Sequence, residues 1–426
     1  MVRMKIEKLV FGGQALGRAQ DKVAFVWNAL PGEEVEVFVD KNKRNYLEGT
    51  AVRVIKPSLD RIAPREGHFL SCSPWQILTP QAEMTWKKKI AVETFLKLGG
   101  FDLPSEPEIV SDGRDYNYRN KMEFFFAPTH DGKASLAFYK RGTDEFVPVA
   151  SCELAMPSIN ETAKAVLKWV NDNSIPPEVL RRVVVRSDED GKTIAALFAK
   201  EEFGFLNYPL TNDVMVGFQM YPQEGRAKAT EKLKPTFSQG ANFLTANLKD
   251  VKLRYGALSF FQINLPVFSI VLDDIARFLD KKKPVVDYYC GAGAISLPLS
   301  DHFKECVLID SSFDSISDAR ENIKLNSISN CSARVEAVEW ATEHLSADNI
   351  VIFDPPRAGL HHDVITKVIA EKPLRIIYLS CNLSSQARDI KKLLPFYKVS
   401  FLRLYNFFPR TPHIEGLCVL ERETRD

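Results

Sequence analysis

Five stretches of the 426-residue chain carry side chains able to do chemistry, and all lie in its C-terminal third. Val285-Val286-Asp287-Tyr288-Tyr289-Cys290-Gly291-Ala292-Gly293 reads as a buried strand that ends in an acid, a loop with two glycines, and the start of a helix. Such a loop lets backbone approach a ligand at the first strand–helix turn of an open α/β sheet. The third glycine of a dinucleotide fingerprint is missing, because Ala294, Ile295 and Ser296 follow Gly293. What remains fits S-adenosylmethionine better than a pyrophosphate, since that ligand has no phosphates and presents an ammonium to acids such as Asp287. The next strand ends Val307-Leu308-Ile309-Asp310, where Asp310 can accept hydrogen bonds from a ribose diol. Alternatively, Asp310 caps the following helix, a task open also to Ser311 and Ser312.

The chemistry itself points to the later motifs. In Ile352-Phe353-Asp354-Pro355-Pro356-Arg357 two prolines force an extended exit from a strand and hold Asp354 at its end. In LSCNLSSQARDI a buried-strand run, Leu374 to Leu379, gives way to a helix at Cys381 and Asn382. A lone cysteine is more often an inert core residue, but a strand-end position in an open sheet is where sites are built. Phe408-Pro409-Arg410-Thr411-Pro412-His413-Ile414-Glu415-Gly416 then leads into an apolar strand. Either His413 or Glu415 could act there as a base; Glu415 is preferred because desolvation raises a carboxylate toward neutrality.

These residues need a sheet to bring them to one edge. Beyond Pro284 strands alternate with helices, which predicts a doubly wound, mainly parallel sheet. The first 60 residues hold short alternating strands (MKIEKLVF, VAFVW, EVEVFVD, TAVRVI) and predict a small closed barrel of the oligonucleotide-binding type. A connector and a helix, Glu83 to Leu98, follow, then a mixed region and a second helix, Pro266 to Asp280. The expected division is a barrel over 1–60, the connector and helix over 61–99, a central α+β domain over 100–250 and a catalytic domain over 251–426.

With 45% apolar and 26% charged residues the composition is that of a folded soluble protein, and no run nears a membrane span. The cytoplasm is the expected compartment. Seven separated cysteines lack disulfide-framework spacing and are expected to be reduced. A net charge of +1 gives no global basic field. Local clusters at Lys41, Lys43 and Arg44, at Lys87 to Lys89, and at Lys228, Lys232 and Lys234 are either solvated faces or polyanion contacts.

Taken in order, YRNKMEF, FFQIN, DYYCGAG, DPPRAGL, SCN and FPRTPHIE closely resemble the motifs of the RNA uracil-C5 methyltransferases, over essentially the whole chain. The resemblance implies a Rossmann-like class I methyltransferase domain using S-adenosylmethionine, an N-terminal OB-like TRAM β-barrel that binds RNA, and a central α+β domain. It makes Cys381 the nucleophile that adds to uracil C6 and Glu415 the general base. It assigns Gln262, Tyr289, Asp310 and Asp354 to the cofactor, Asp354 also to the base, and Phe260 to stacking on a flipped uracil. Arg119 and Lys121 become phosphate contacts or ordinary surface charges.

The RNA is expected to be ribosomal, with the T-loop of transfer RNA as the alternative, and the protein a monomer. Iron–sulfur members carry four cysteines, of which this chain keeps Cys72 and Cys152, with Glu66 and Trp75 at the other two positions. No cluster and no other metal is therefore expected. A nicotinamide or flavin oxidoreductase would leave Cys381 and Glu415 unexplained, and a non-catalytic RNA-binding protein would not need them.

Overall fold

The computed structural model describes residues 1–19, 21–101, 103, 106–200, 212–222 and 234–423. Lys228 and Lys232 lie outside the described residues. Val2–Leu9, Ala15–Ala19, Lys22–Trp27, Glu34–Asn42 and Tyr46–Lys56 close a five-stranded barrel. Val35 and Val37 face its core while Glu34 and Glu36 face outward, as the period-two pattern requires. The short Ala15–Ala19 strand has no hydrophobic run to announce it. It fits because Gly17 has no Cβ, which would stand 2.7 Å from the Lys5 carbonyl oxygen.

After a single helical turn, Phe69–Cys72, the helix Pro80–Thr94 begins with proline in its first turn and the Thr79 side chain accepting from the Ala82 N–H. It therefore starts a turn before the expected Glu83, and it passes into a π-helical turn, Phe95–Gly99. The central region forms a seven-stranded sheet, in the order Phe237–Gly240, Met215–Pro222, Thr193–Ala199, Leu180–Ser187, Lys121–Pro128, Ala134–Tyr139, Phe146–Pro148. The helix Pro157–Asp172 packs its Ile159, Val166 and Val170 into the core of this region.

The C-terminal sheet has eight strands in the order Cys331–Val335, Glu305–Asp310, Pro284–Tyr288, Ile350–Phe353, Arg375–Ser380, Glu415–Arg422, Tyr397–Tyr405, Ile109–Val110. The first five are parallel; Glu415–Arg422 runs antiparallel to both of its neighbours. Successive residues feed two separate cores, Val285 and Ile352 on one face, Val286 and Val351 on the other. Both faces are thus covered, as a parallel sheet demands. One expected helix is absent: the glycine loop leads into turns and a short 3-10 helix, Leu297–His302. A helix begun at Ala294 would put Pro298 inside its second turn, where the missing N–H and the ring disrupt the ladder. Among the described residues no helix is long and apolar enough to cross a membrane.

Candidate active site

Each acid predicted for the cofactor stands at a strand end on the same edge of this sheet. Asp287 is fully buried, accepts a hydrogen bond from the Ser296 hydroxyl at 2.7 Å, and leaves its other carboxylate oxygen without a partner. Burial pushes its pKa up to about 7, against the Ser296 hydrogen bond. A buried acid with an orphaned oxygen suits a cationic ligand, which is what an ammonium or sulfonium supplies. Asp310 accepts backbone N–H bonds from Gly291 at 3.0 Å and Ser312 at 2.8 Å, tying the glycine loop to the strand end. The capping role falls to Ser312, whose hydroxyl accepts from the Ser315 N–H. Gly293 adopts φ +83°, and a Cβ there would stand 2.6 Å from Leu297. Tyr289 holds a left-handed φ of 61°, an uncommon conformation for a bulky residue, at the mouth of this loop.

Asp354 accepts from the Gln262 side-chain amide at 3.2 Å, and Gln262 is itself held through its backbone carbonyl by the Asn120 side chain at 2.9 Å. Burial and the nearby Asp287 raise the Asp354 pKa to about 7. Gln262 and Asp354 are thus hydrogen-bonded, and Asp354 lies in the field of Asp287.

Cys381 and Glu415 come together through strand register. Ser380 pairs with Gly416 as the last rung of the antiparallel ladder, and Cys381 and Glu415 are the next residues beyond it, near enough for the Glu415 charge to act on the thiol. The Gln386 side-chain amide, from the helix Leu383–Leu393, donates to both the Tyr378 and Gly416 carbonyls and fixes the rung from below. Glu415 is buried with one oxygen unpartnered, and burial together with Asp354 lifts its pKa well above the usual carboxylate range. Burial raises the Cys381 thiol to about 11; Glu415 and Asp354 add to this, whereas Arg357 opposes it with its charge and a hydrogen bond. Asn382 caps the helix that begins beyond the thiol and donates to the Arg357 carbonyl at 2.8 Å. Asn382 thereby straps the two motif loops together.

The cavity at Cys381 is also lined by Arg357, Asn382, His413, Pro412 and, from the barrel, Phe11 and Gly12. His413 is held neutral, with a pKa lowered to about 3 by burial and then by Arg357. The loop bearing it is locked by buried charges. Lys87 donates to Glu83 at 2.7 Å, to the Asn406 side chain at 2.6 Å and to the Phe408 carbonyl at 3.1 Å, while Arg410 meets Glu83 and Asp115. Lys87 thus belongs to the interior and not to a basic surface run. Its signal was the i,i+4 spacing from Glu83 at a helix start. Trp75 donates its indole N–H to the Gly13 carbonyl, and its backbone N–H to the Arg410 carbonyl, joining the barrel to this loop.

Phe260 does not line the Cys381 cavity; it is 61% exposed and stands beside Gly291. Arg119 is half-buried, with its guanidinium 5.9 Å from the Phe408 ring centre. Lys121 is lowered to about 7 by burial and by Arg186. Neither is an ordinary surface charge.

Comparison with known proteins gives the family. Residues 225–423 match the family model described as tRNA (Uracil-5-)-methyltransferase, and residues 1–52 match the TRAM domain. An uncharacterized RNA methyltransferase of Aquifex aeolicus is 30% identical over 435 residues, spanning 99% of this chain and 98% of its own length. Another from Synechocystis is 26% identical over 447 residues, spanning 99% and 96%. Among solved structures, the Pyrococcus abyssi tRNA (uracil-54, C5)-methyltransferase in complex with S-adenosyl-L-homocysteine superposes with a TM-score of 0.78 at 24% identity, covering 98% of this chain and 100% of that one, which shows a shared fold. With an end-to-end relative at that identity and both domain matches in place, the chain belongs to the TRAM-bearing, S-adenosylmethionine-dependent RNA uracil-C5 methyltransferase family.

Proposed function

We propose that this enzyme methylates C5 of one particular uridine in RNA, with Cys381 as nucleophile and Glu415 as general base. The observation that carries the reading is the position of these two residues, each one step beyond the Ser380–Gly416 pair at the ligand edge of the sheet, with the Glu415 charge acting on the thiol. Uracil C5 is a weak nucleophile, and adding a thiolate to C6 moves the ring electrons onto C5. Arg357 and the amino end of the helix Leu383–Leu393 favour the thiolate against burial. S-adenosylmethionine supplies the electrophilic methyl group, with Gln262, Tyr289, Asp310 and Asp354 as its proposed contacts and Asp354 also orienting the uracil. Once C5 carries the methyl, ionised Glu415 takes the C5 proton, the C5–C6 double bond re-forms, and the Cys381 sulfur leaves as thiolate. Glu415 ionises more readily when positive charge is held against Asp354, because the field of that carboxylate is one cause of its raised pKa.

A paired base cannot reach the thiol, so the target is flipped out, at a cost of a few kcal/mol offset by stacking. Phe260 is the proposed stacking surface. The barrel (1–60) and central domain (100–250) grip RNA, with Arg119 and Lys121 as candidate phosphate contacts, while the connector (61–99) joins the barrel to the rest and residues 251–426 carry the chemistry. We place the target in large-subunit ribosomal RNA and the enzyme in the cytoplasm as a monomer. A transfer-RNA T-loop uridine is the second reading, favoured by the description of the matching family model. Labelled S-adenosylmethionine with separated, unmodified transfer and ribosomal RNA decides between them. Label in 5-methyluridine of ribosomal RNA supports the first reading, label in transfer RNA the second, and label in any other nucleoside overturns both.

A further inference from the structure

The two thiols left over from the family's cluster pattern, Cys72 and Cys152, meet a histidine and a carboxylate. Glu66, His68, Cys72 and Cys152 each bring one donor atom to a common point, all four within 4.8 Å of one another. Counting thiols alone, as the sequence reading does, misses this convergence. A [4Fe-4S] cluster does not fit: only two donors are thiols, and the four atoms crowd too closely to surround a four-iron cage.

We propose that Glu66, His68, Cys72 and Cys152 form a tetrahedral site for one divalent transition-metal ion of the zinc class. Sulfur, imidazole nitrogen and carboxylate oxygen are that ion's ligands, and its bond lengths of about 2.0–2.3 Å require donors roughly 3.3–3.8 Å apart, a small contraction of the present cluster. His68 Nε2 is buried and makes no hydrogen bond, although Glu66 Oε1 lies 3.1 Å away: the two atoms face a shared point without the geometry of a donor and acceptor.

The surroundings are those of an oriented ligand set. Glu66 accepts from the Glu153 N–H at 2.7 Å and from the Gln76 side-chain amide at 2.8 Å. Gln76 also donates to the Ser73 hydroxyl, which touches the Cys72 sulfur at 3.1 Å. Asn160 clamps the backbone of Cys152 from both sides, accepting from its N–H and donating to its carbonyl. Two thiolates, a carboxylate and a neutral imidazole around a dication leave one net negative charge. Arg119, whose Nε has no partner, is placed to balance it.

Such an ion would pin the connector, which supplies Glu66, His68 and Cys72, to the central domain at Cys152. Through Arg119 and Phe408 it would also steady the loop that ends in Glu415. The role is structural positioning, with no part in methyl transfer.

The test is metal analysis of the full-length protein purified without chelator, beside Cys72→Ser/Cys152→Ser and the milder Gln76→Ala. The proposal expects about one zinc per wild-type chain, lost in the double cysteine variant, and a metal affinity reduced about tenfold in Gln76→Ala. Cobalt replacement should give the visible bands of a tetrahedral thiolate site in the wild type, and circular dichroism shows whether the variants fold. Wild-type metal content no higher than that of the folded double variant overturns the proposal. So do iron with labile sulfide and a Cys72–Cys152 disulfide in freshly purified protein.

Discussion

Cys381 and Glu415 are the next residues beyond the Ser380–Gly416 pair that ends an antiparallel ladder, and the Glu415 charge acts on the Cys381 thiol. The two groups proposed to act on neighbouring ring atoms thus extend from strands whose pairing is fixed one residue before them. Cys381→Ala should abolish methyl transfer, by at least about 10³-fold, while leaving cofactor affinity unchanged, as read by isothermal titration. Glu415→Gln should instead stall after addition, lowering turnover about 10²- to 10⁴-fold and leaving RNA bound to protein on a denaturing gel. If both variants lose cofactor affinity equally, the division of roles is wrong.

Gly293→Ala tests the cofactor cradle. The new methyl would meet Leu297 at 2.6 Å in a backbone with φ +83°, and residues forced into such conformations cost about 1–3 kcal/mol each. A lowered melting temperature with at least tenfold weaker S-adenosylmethionine binding is expected. A variant that binds like the wild type would remove the loop from the site.

The acidic group predicts a pH dependence. Asp287 and Asp354 both have pKa values raised to about 7, so they gain negative charge as pH rises through that value. Affinity for the cationic cofactor should increase several-fold from pH 6 to pH 8, and less steeply for S-adenosyl-L-homocysteine, which lacks the sulfonium. For stability the sign is opposite. Between about pH 4 and pH 7 these carboxyls stay protonated when folded but ionise when unfolded, so folding weakens as pH rises across that window. Asp287→Asn should therefore raise the melting temperature more at pH 8 than at pH 5.

The buried ion network behind the Glu415 loop gives a stability prediction. Glu83→Gln leaves the buried Lys87 and Arg410 facing each other without the carboxylate that both contact. Breaking a buried ion pair costs about 3–5 kcal/mol, measurable by denaturant unfolding, and turnover should fall with it. Unchanged stability would show that Asn406 and Asp115 suffice as partners.

The strand-end positions of Asp287, Asp310, Asp354 and Cys381 and the glycine loop were legible because period, proline and glycine mark strand exits locally. The doubly wound sheet followed from the same alternation. Of the lock around Lys87 and Arg410 only the i,i+4 spacing of Glu83 and Lys87 was legible; Arg410 lies 327 residues beyond Glu83 and meets it only after folding. The barrel's Phe11 at the Cys381 cavity was hidden for the same reason. Pro298 already marks the segment after Gly293 as unable to run on as a regular helix.

The central claim is most directly tested with RNA carrying 5-fluorouridine at the target, where no C5 proton exists for Glu415 to remove. Incubated with S-adenosylmethionine, wild-type enzyme should form a denaturation-resistant adduct whose RNA-linked, methylated peptide contains Cys381, and Cys381→Ala should form none. An adduct at another residue, or the same adduct in the alanine variant, would contradict the account.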